Sequence, residues 1–195
     1  MEPVTLEHDD ALIIADMQHD FLPGGSLAVP EGDVIIPLLN QYMARFEAGN
    51  LPVFATRDWH PANHCSFVQQ GGIWPPHCIA HTPGADFHPA LNWPPGTHVI
   101  SKATAQEKEA YSGFEDTALD SLLSALGVRR LFIAGIATEY CVLQTVKDAL
   151  RKGYRVFVLE DGVRAINLQP DDGAQAIQEM RQSGAHLIDY GRLQP

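Results

Sequence analysis

Short apolar runs punctuate the chain at Ala11–Ala15, Pro52–Ala55, Thr97–Ile100, Arg130–Ala134 and Arg155–Leu159, with a weaker sixth at His186–Ile188. None alternates cleanly between apolar and polar, so each suits a strand covered on both faces, as in a parallel sheet. Between the runs, apolar residues recur at helical spacing. Val34, Leu38, Tyr42 and Phe46 form one stripe, and Leu119, Leu122, Leu123 and Leu126 another, closed by Gly127. Val142, Val146 and Leu150 are closed by Gly153, and Ala174, Ile177, Met180 and Arg181 by Gly184. Strand and helix thus alternate, which predicts a three-layer α/β/α fold with a doubly wound, mostly parallel six-stranded sheet. No internal repeat or linker interrupts the pattern, so a single domain over residues 1–195 is expected.

The pattern fails between Asp58 and Pro95. That stretch holds all three Trp, two of the three Cys, five of nine His and seven of fourteen Pro. So much proline excludes regular helix and central strand. A loop of this length in a compact domain has a task or is disordered, and Trp, His and Cys are the wrong composition for disorder. A binding or metal-site wall is expected.

Composition narrows the partners. With 13 Lys+Arg against 24 Asp+Glu, the formal charge of −11 disfavours nucleic acid and anionic membrane surfaces. No apolar run approaches the ~18 residues of a membrane helix, and the acidic start is unlike a signal peptide. Three cysteines cannot all pair within one chain, which points to a reducing cytoplasm. Self-association into a homo-oligomer stays open.

In open α/β sheets ligands gather at the carboxyl ends of strands. The first run ends at Asp16, the third at Lys102, and the fourth leads through Gly135–Tyr140 to Cys141 at the start of a helix. Singly, these residues read as a turn acid, a surface lysine and a buried thiol. Together they aim a base, an ammonium and a nucleophile at one crevice. Thr138 is the expected N-cap, which puts Cys141 at the third helical position, where N–H groups and the helix dipole favour a thiolate. In the loop, Asp58 and His60 stand two apart on an extended segment and His77 follows seventeen later. One carboxylate and two imidazoles suit a divalent Zn, Fe or Mn ion. His64 is a spare imidazole that could add a ligand or a supporting contact. Cys65 and Cys78 read as packing, and His81 and His88 as polar loop residues.

These residues resemble a known family, over most of the chain from Ala11 to about Ile188. The resemblance is carried by Asp16-Met17-Gln18-His19-Asp20-Phe21, Gly24-Gly25-Ser26-Leu27, Thr56-Arg57-Asp58-Trp59-His60-Pro61, Trp74-Pro75-Pro76-His77-Cys78, Tyr111-Ser112-Gly113-Phe114 and the Gly135–Cys141 segment. In that order they are similar to the nicotinamidase (pyrazinamidase) branch of the isochorismatase-like cysteine hydrolases. The resemblance implies that family's fold and a catalytic triad of Asp16, Lys102 and Cys141. It implies metal ligands at Asp58, His60 and His77, with His64 at a position that contacts the metal in some members. It implies a cis Ile136–Ala137 bond, with the N–H groups of Ala137 and Cys141 holding an oxyanion. Phe21, Trp74 and Tyr111 match positions walling a pyridine ring. The implied reaction is hydrolysis of nicotinamide, and of pyrazinamide, through a cysteine thioester. Three positions depart from the commoner pattern: His19 where Asn is usual, Tyr140 before the nucleophile, and His81 where Gly is frequent. Tyr140 and His81 bear on the pocket wall and so on substrate preference. The rival readings are a ureido or carbamoyl C–N hydrolase of the same fold, which generally lacks the Asp58–His60–His77 loop, and a non-catalytic member, which would have lost a triad residue.

Overall fold

Every position of strands β2 (Asp10–Ala15) and β5 (Arg130–Ile136) is buried, as expected of apolar runs without alternation. The computed structural model describes residues 3–194. Around these two strands lie β3 (Val53–Asp58), β4 (His98–Lys102), β6 (Arg155–Arg164) and β7 (His186–Ile188). The spatial order is β4-β3-β2-β5-β6-β7, with every neighbouring pair parallel. The chain therefore starts in the middle of the sheet, winds outward to β4, returns to β5 and winds outward again. Two further strands escaped the sequence pattern: β1 (Val4–Thr5) and β8 (Leu193–Gln194) form a separate parallel pair. Two residues are too few to print a periodicity.

Alternate side chains of the central strands enter opposite cores. Leu12, Ile14, Phe132 and Ala134 pack with Leu39, Tyr42, Met43 and Phe46 of α1 (Ile36–Ala48) on one face. Ala11, Ile13, Leu131 and Ile133 pack on the other. There they meet α2 (Leu119–Ala125), α3 (Leu143–Arg151) and α4 (Asp172–Gln182) through Leu123, Val146, Ala149 and Met180. The three layers follow from this alternation. No helix among the described residues is long and apolar enough to cross a membrane.

The helical stripes are right in place and partly wrong in register. Val34 is 61% exposed because α1 begins only at Ile36, with Pro37 in its first turn. Leu126 lies just past the end of α2 and is half exposed. In α4 the buried face is Gly173, Ala176 and Met180, while Ala174 and Arg181 face outward.

At the carboxyl end of the sheet, Gly135 sits at φ +112°, where a Cβ would fall 2.2 Å from the Ala15 carbonyl oxygen. Only glycine allows β5 to approach β2 so closely there. The next bond but one, Ile136–Ala137, is cis.

Candidate active site and metal centre

Four strands deliver reactive side chains to one end of the sheet. Asp16 follows β2, Asp58 ends β3, Lys102 ends β4, and Cys141 lies in the turn after β5. Asp58 and Lys102 are direct register partners. All four are buried, with Cys141 5% and Lys102 1% exposed. The three residues expected at strand ends do meet. Lys102 Nζ lies 3.0 Å from Asp16 Oδ2 and donates to Cys141 Sγ at 3.3 Å. The same ammonium pairs closely with Asp58 Oδ1. Carboxylate oxygens of Asp16 and Asp58 and the Cys141 sulfur all lie within 4.8 Å of one another.

Asp16 is turned into this cluster by a left-handed backbone, φ +52°. Thr56 Oγ1 donates to its Oδ1 at 2.7 Å. Asp16 Oδ2, already beside the Lys102 ammonium, has no further hydrogen-bond partner among the described residues, so it keeps a lone pair for a proton. Burial pushes the Asp16 carboxyl up, the Lys102 ammonium pulls it down, and the Asp58 charge pushes it up again, leaving it raised. It is thus a stronger base than an ordinary carboxylate. Burial would pull Lys102 down, but the Asp16 and Asp58 carboxylates hold its ammonium well above the usual range.

The local structure at Cys141 differs from the sequence expectation in two respects. Thr138 is not the cap. Ala137 occupies that position without a side-chain bond, and a wide π-turn spans Thr138–Val142. The Ala137 carbonyl accepts from the N–H groups of Tyr140 and Val142 at 3.1 and 3.2 Å, on either side of Cys141. Cys141 is therefore the fourth residue of a π-turn, a feature concentrated at functional sites. Nor does burial favour a thiolate there. Burial pushes its thiol well up, and the nearby carboxylates outlast the opposing pull of Lys102.

Asp58 also faces the loop. Its Oδ2 lies 3.4 Å from His60 Nε2 and 3.9 Å from His77 Nε2. Whether these three residues fit a cation is decided by the imidazole tautomers. His60 Nδ1 is 3.2 Å from the Ala103 carbonyl and His77 Nδ1 is 2.7 Å from that of Pro75. A carbonyl can only accept, so both Nδ1 atoms carry the proton and both Nε2 lone pairs turn toward Asp58. His60 Nε2 is buried with no hydrogen-bond partner among the described residues. Burial lowers the His77 imidazole, although Asp58 opposes this, and so favours its neutral form. Burial would raise the Asp58 carboxyl, but the Lys102 ammonium holds it well below the carboxylate range. An anionic oxygen and two imidazole nitrogens aimed at one point fit a divalent cation.

His64 is placed differently. Its ring lies 4.2 Å from that of His60, but Nδ1 engages Ser66 Oγ at 2.7 Å and Nε2 the Lys108 carbonyl at 3.0 Å. Both nitrogens are committed, so His64 supports the His60 ring and offers no lone pair to the Asp58–His60–His77 cluster. Cys65 and Cys78 are free thiols.

The aromatic residues expected to wall a ring lie near the cluster. Trp74 Nε1 donates to the Tyr111 hydroxyl at 3.0 Å, and Phe21 lies 5.4 Å from the His77 ring. Tyr140 joins the wall, edge-on to Trp74 at 5.2 Å and 5.5 Å from Tyr111. His81 packs against Trp59 instead. A surface recess of about 610 Å³ lined by Leu6, Ala44, Arg45, Leu51 and Tyr190 holds none of these groups, and the reactive side chains converge at the strand ends.

Thr56 and Gln18 were not singled out by sequence reasoning. Thr56 is the register partner of Ala15, so correct strand pairing would have placed it beside Asp16.

With this geometry, the chain belongs to the isochorismatase family: the Isochorismatase domain matches residues 10–191. Within that family its similarity is to nicotinamidases and pyrazinamidases. It is 39% identical to the nicotinamidase of Escherichia coli K12, covering 91% of this chain and 93% of that one. The pyrazinamidase of Pyrococcus horikoshii in complex with zinc superposes with a TM-score of 0.90 at 49% identity, covering 93% and 99%. PnC1 from L. infantum in complex with nicotinate gives 0.90 at 37% identity, covering 98% of each chain.

Proposed function

We propose that this protein is a metal-dependent nicotinamidase that hydrolyses nicotinamide to nicotinate and ammonia, and pyrazinamide likewise. The observation that carries this reading is the division of Asp58, one oxygen on Lys102 and the other toward His60 and His77. It joins an amide-cleaving thiol to a cation site within one buried cluster. A carbamoyl hydrolase needs only the first of these.

In this reading Asp16 Oδ2 takes the Cys141 proton and the sulfur attacks the carboxamide carbon. Lys102 stabilises the charge that develops on sulfur. The Ala137 and Cys141 N–H groups face the oxyanion. Asp16 returns its proton to the leaving nitrogen, ammonia departs and a thioester remains. Water, with its proton passing to Asp16, adds to the thioester carbon; the C–S bond breaks, releasing nicotinate, and the thiol is restored. Asp58, His60 and His77 would hold a divalent ion of the Zn, Fe or Mn class, and the zinc of the Pyrococcus relative favours the first. When bound, such an ion supplies an open coordination position for a ring nitrogen. Phe21, Trp74, Tyr111 and Tyr140 flank a flat ring. The chain acts as one domain in the cytoplasm, where nicotinate re-enters pyridine nucleotide synthesis.

The test is ammonia release from nicotinamide by the purified protein, before and after chelation and with zinc restored. Turnover that is lost and regained supports the reading. No turnover at any metal loading overturns it.

A further inference from the structure

Gln18 is fully buried and has no part in the chemistry above. Its side-chain amide makes three bonds. Oε1 accepts the Asp58 N–H at 2.8 Å, and Nε2 donates to the Asp58 carbonyl at 2.7 Å and the Ala85 carbonyl at 3.0 Å. Both amide protons are used, and the pattern fixes which end is oxygen.

The pairing with Asp58 is the one a neighbouring strand residue would make. β2 stops pairing with β3 at Ala15 opposite Thr56, with one more bond from Asp16 N–H to the Thr56 carbonyl at 3.1 Å. The chain then turns away at Asp16, which would leave the last residue of β3 with a partner only on the β4 side. The Gln18 side chain fills the missing strand position. Asp58 is thereby gripped on both edges, by Lys102 in register on one and by Gln18 on the other.

We propose that Gln18 is a positioning residue for the metal site, holding the Asp58 backbone so that its carboxylate serves Lys102 with one oxygen and faces His60 and His77 with the other. It acts through Asp58 and touches no reacting atom. The Ala85 bond extends the grip to the far part of the loop. The inference rests on the reading of Asp58, His60 and His77 as metal ligands.

The test compares zinc affinity, measured by competition with a chromophoric chelator, in wild type and two variants. Gln18→Glu keeps the length and an acceptor but loses both donors. Gln18→Met keeps the length and loses every polar atom, and serves if the first does not fold. Tyr42→Phe is the control. It gives up a 2.7 Å bond to Asp161 beneath α1 and lowers stability without touching the site. A folded Gln18 variant should bind zinc about 10–100-fold more weakly, while Tyr42→Phe binds as wild type does. With zinc saturating, kcat for nicotinamide should still fall in the Gln18 variant, because the Lys102 contact of Asp58 is also displaced. Zinc affinity within twofold of wild type in a folded Gln18 variant overturns the proposal, as does a loss matched by Tyr42→Phe, which would track stability alone. If wild type itself takes up no zinc, the metal reading fails first and is seen to do so.

Discussion

Asp58 and Lys102 meet twice, once as backbone register partners across β3 and β4 and again through their side chains. The ammonium that contacts the Cys141 sulfur is thus held by a residue that also faces His60 and His77, and disturbance on either side reaches the other.

Removing the nucleophile should abolish chemistry and spare binding. Cys141→Ala is expected to lose roughly 10⁴-fold or more in kcat while nicotinamide still protects the protein in thermal melts. Near-normal ammonia release would mean that the sulfur is not the attacking atom.

Lys102→Met leaves two buried carboxylates without their cation. Breaking such a pair costs about 3–5 kcal/mol, which for a chain of this size lowers Tm by roughly 10 °C. Differential scanning calorimetry gives the shift. Unchanged Tm would show that the cluster is already neutral.

A stability effect remote from the chemistry is expected at the opposite end of the sheet. Arg130 grips Asp10 through two bonds of 2.5 and 2.8 Å and also reaches Glu7 and the Thr5 carbonyl. Asp10→Ala should cost about 3 kcal/mol, read from urea denaturation, with kcat at 25 °C close to wild type. A comparable loss of kcat would tie this end of the sheet to the site.

The substrate ring should be read by its nitrogen. Benzamide keeps the ring and the amide but offers no lone pair, and a site built around a polar contact rejects the analogue lacking it strongly, by up to about 10⁴-fold. Comparing kcat/KM for nicotinamide, pyrazinamide and benzamide at equal zinc loading decides this. Equal rates would reduce the protein to a general small-amide hydrolase.

Tyr111 should titrate late. Burial pushes its phenol up to about 12, although the Trp74 indole donor pulls it down. Because the folded value lies above the unfolded one near 10, its contribution to stability is full below pH 10 and is lost as pH rises through about 12. Phenolate absorbance of wild type minus Tyr111→Phe should show one group ionising near 12. A difference titrating near 10 would place the ring in water.

Asp16, Lys102 and Cys141 were legible because parallel strands write their ends plainly: an apolar run stops and a reactive residue follows. Asp58, His60 and His77 were legible because proline and histidine mark the loop as neither helix nor strand. Hidden features depend on what a side chain meets across the fold. Thr138 has the composition of a cap, but the wide turn lets Val142 reach back to Ala137 and leaves the threonine without that duty. Burial opposes the expected thiolate, since a helix-start argument counts N–H groups and omits the lost water. Val34 and Leu126 fit a helical spacing but stand outside the helices that Pro37 and Gly127 delimit. Gln18 imitates a strand, which no local pattern announces.

The depth of Cys141 also governs what the sulfur escapes. A thiol 5% exposed, whose ionisation burial opposes, is a poor target for peroxide, disulfide exchange or alkylating metabolites, all of which require an accessible thiolate. In the proposed reaction, a flat amide seated between the rings would bring its carbonyl carbon to the sulfur as the proton leaves for Asp16. On that mechanism reactivity would be conferred by the arriving molecule, and between visits the cysteine would be chemically quiet.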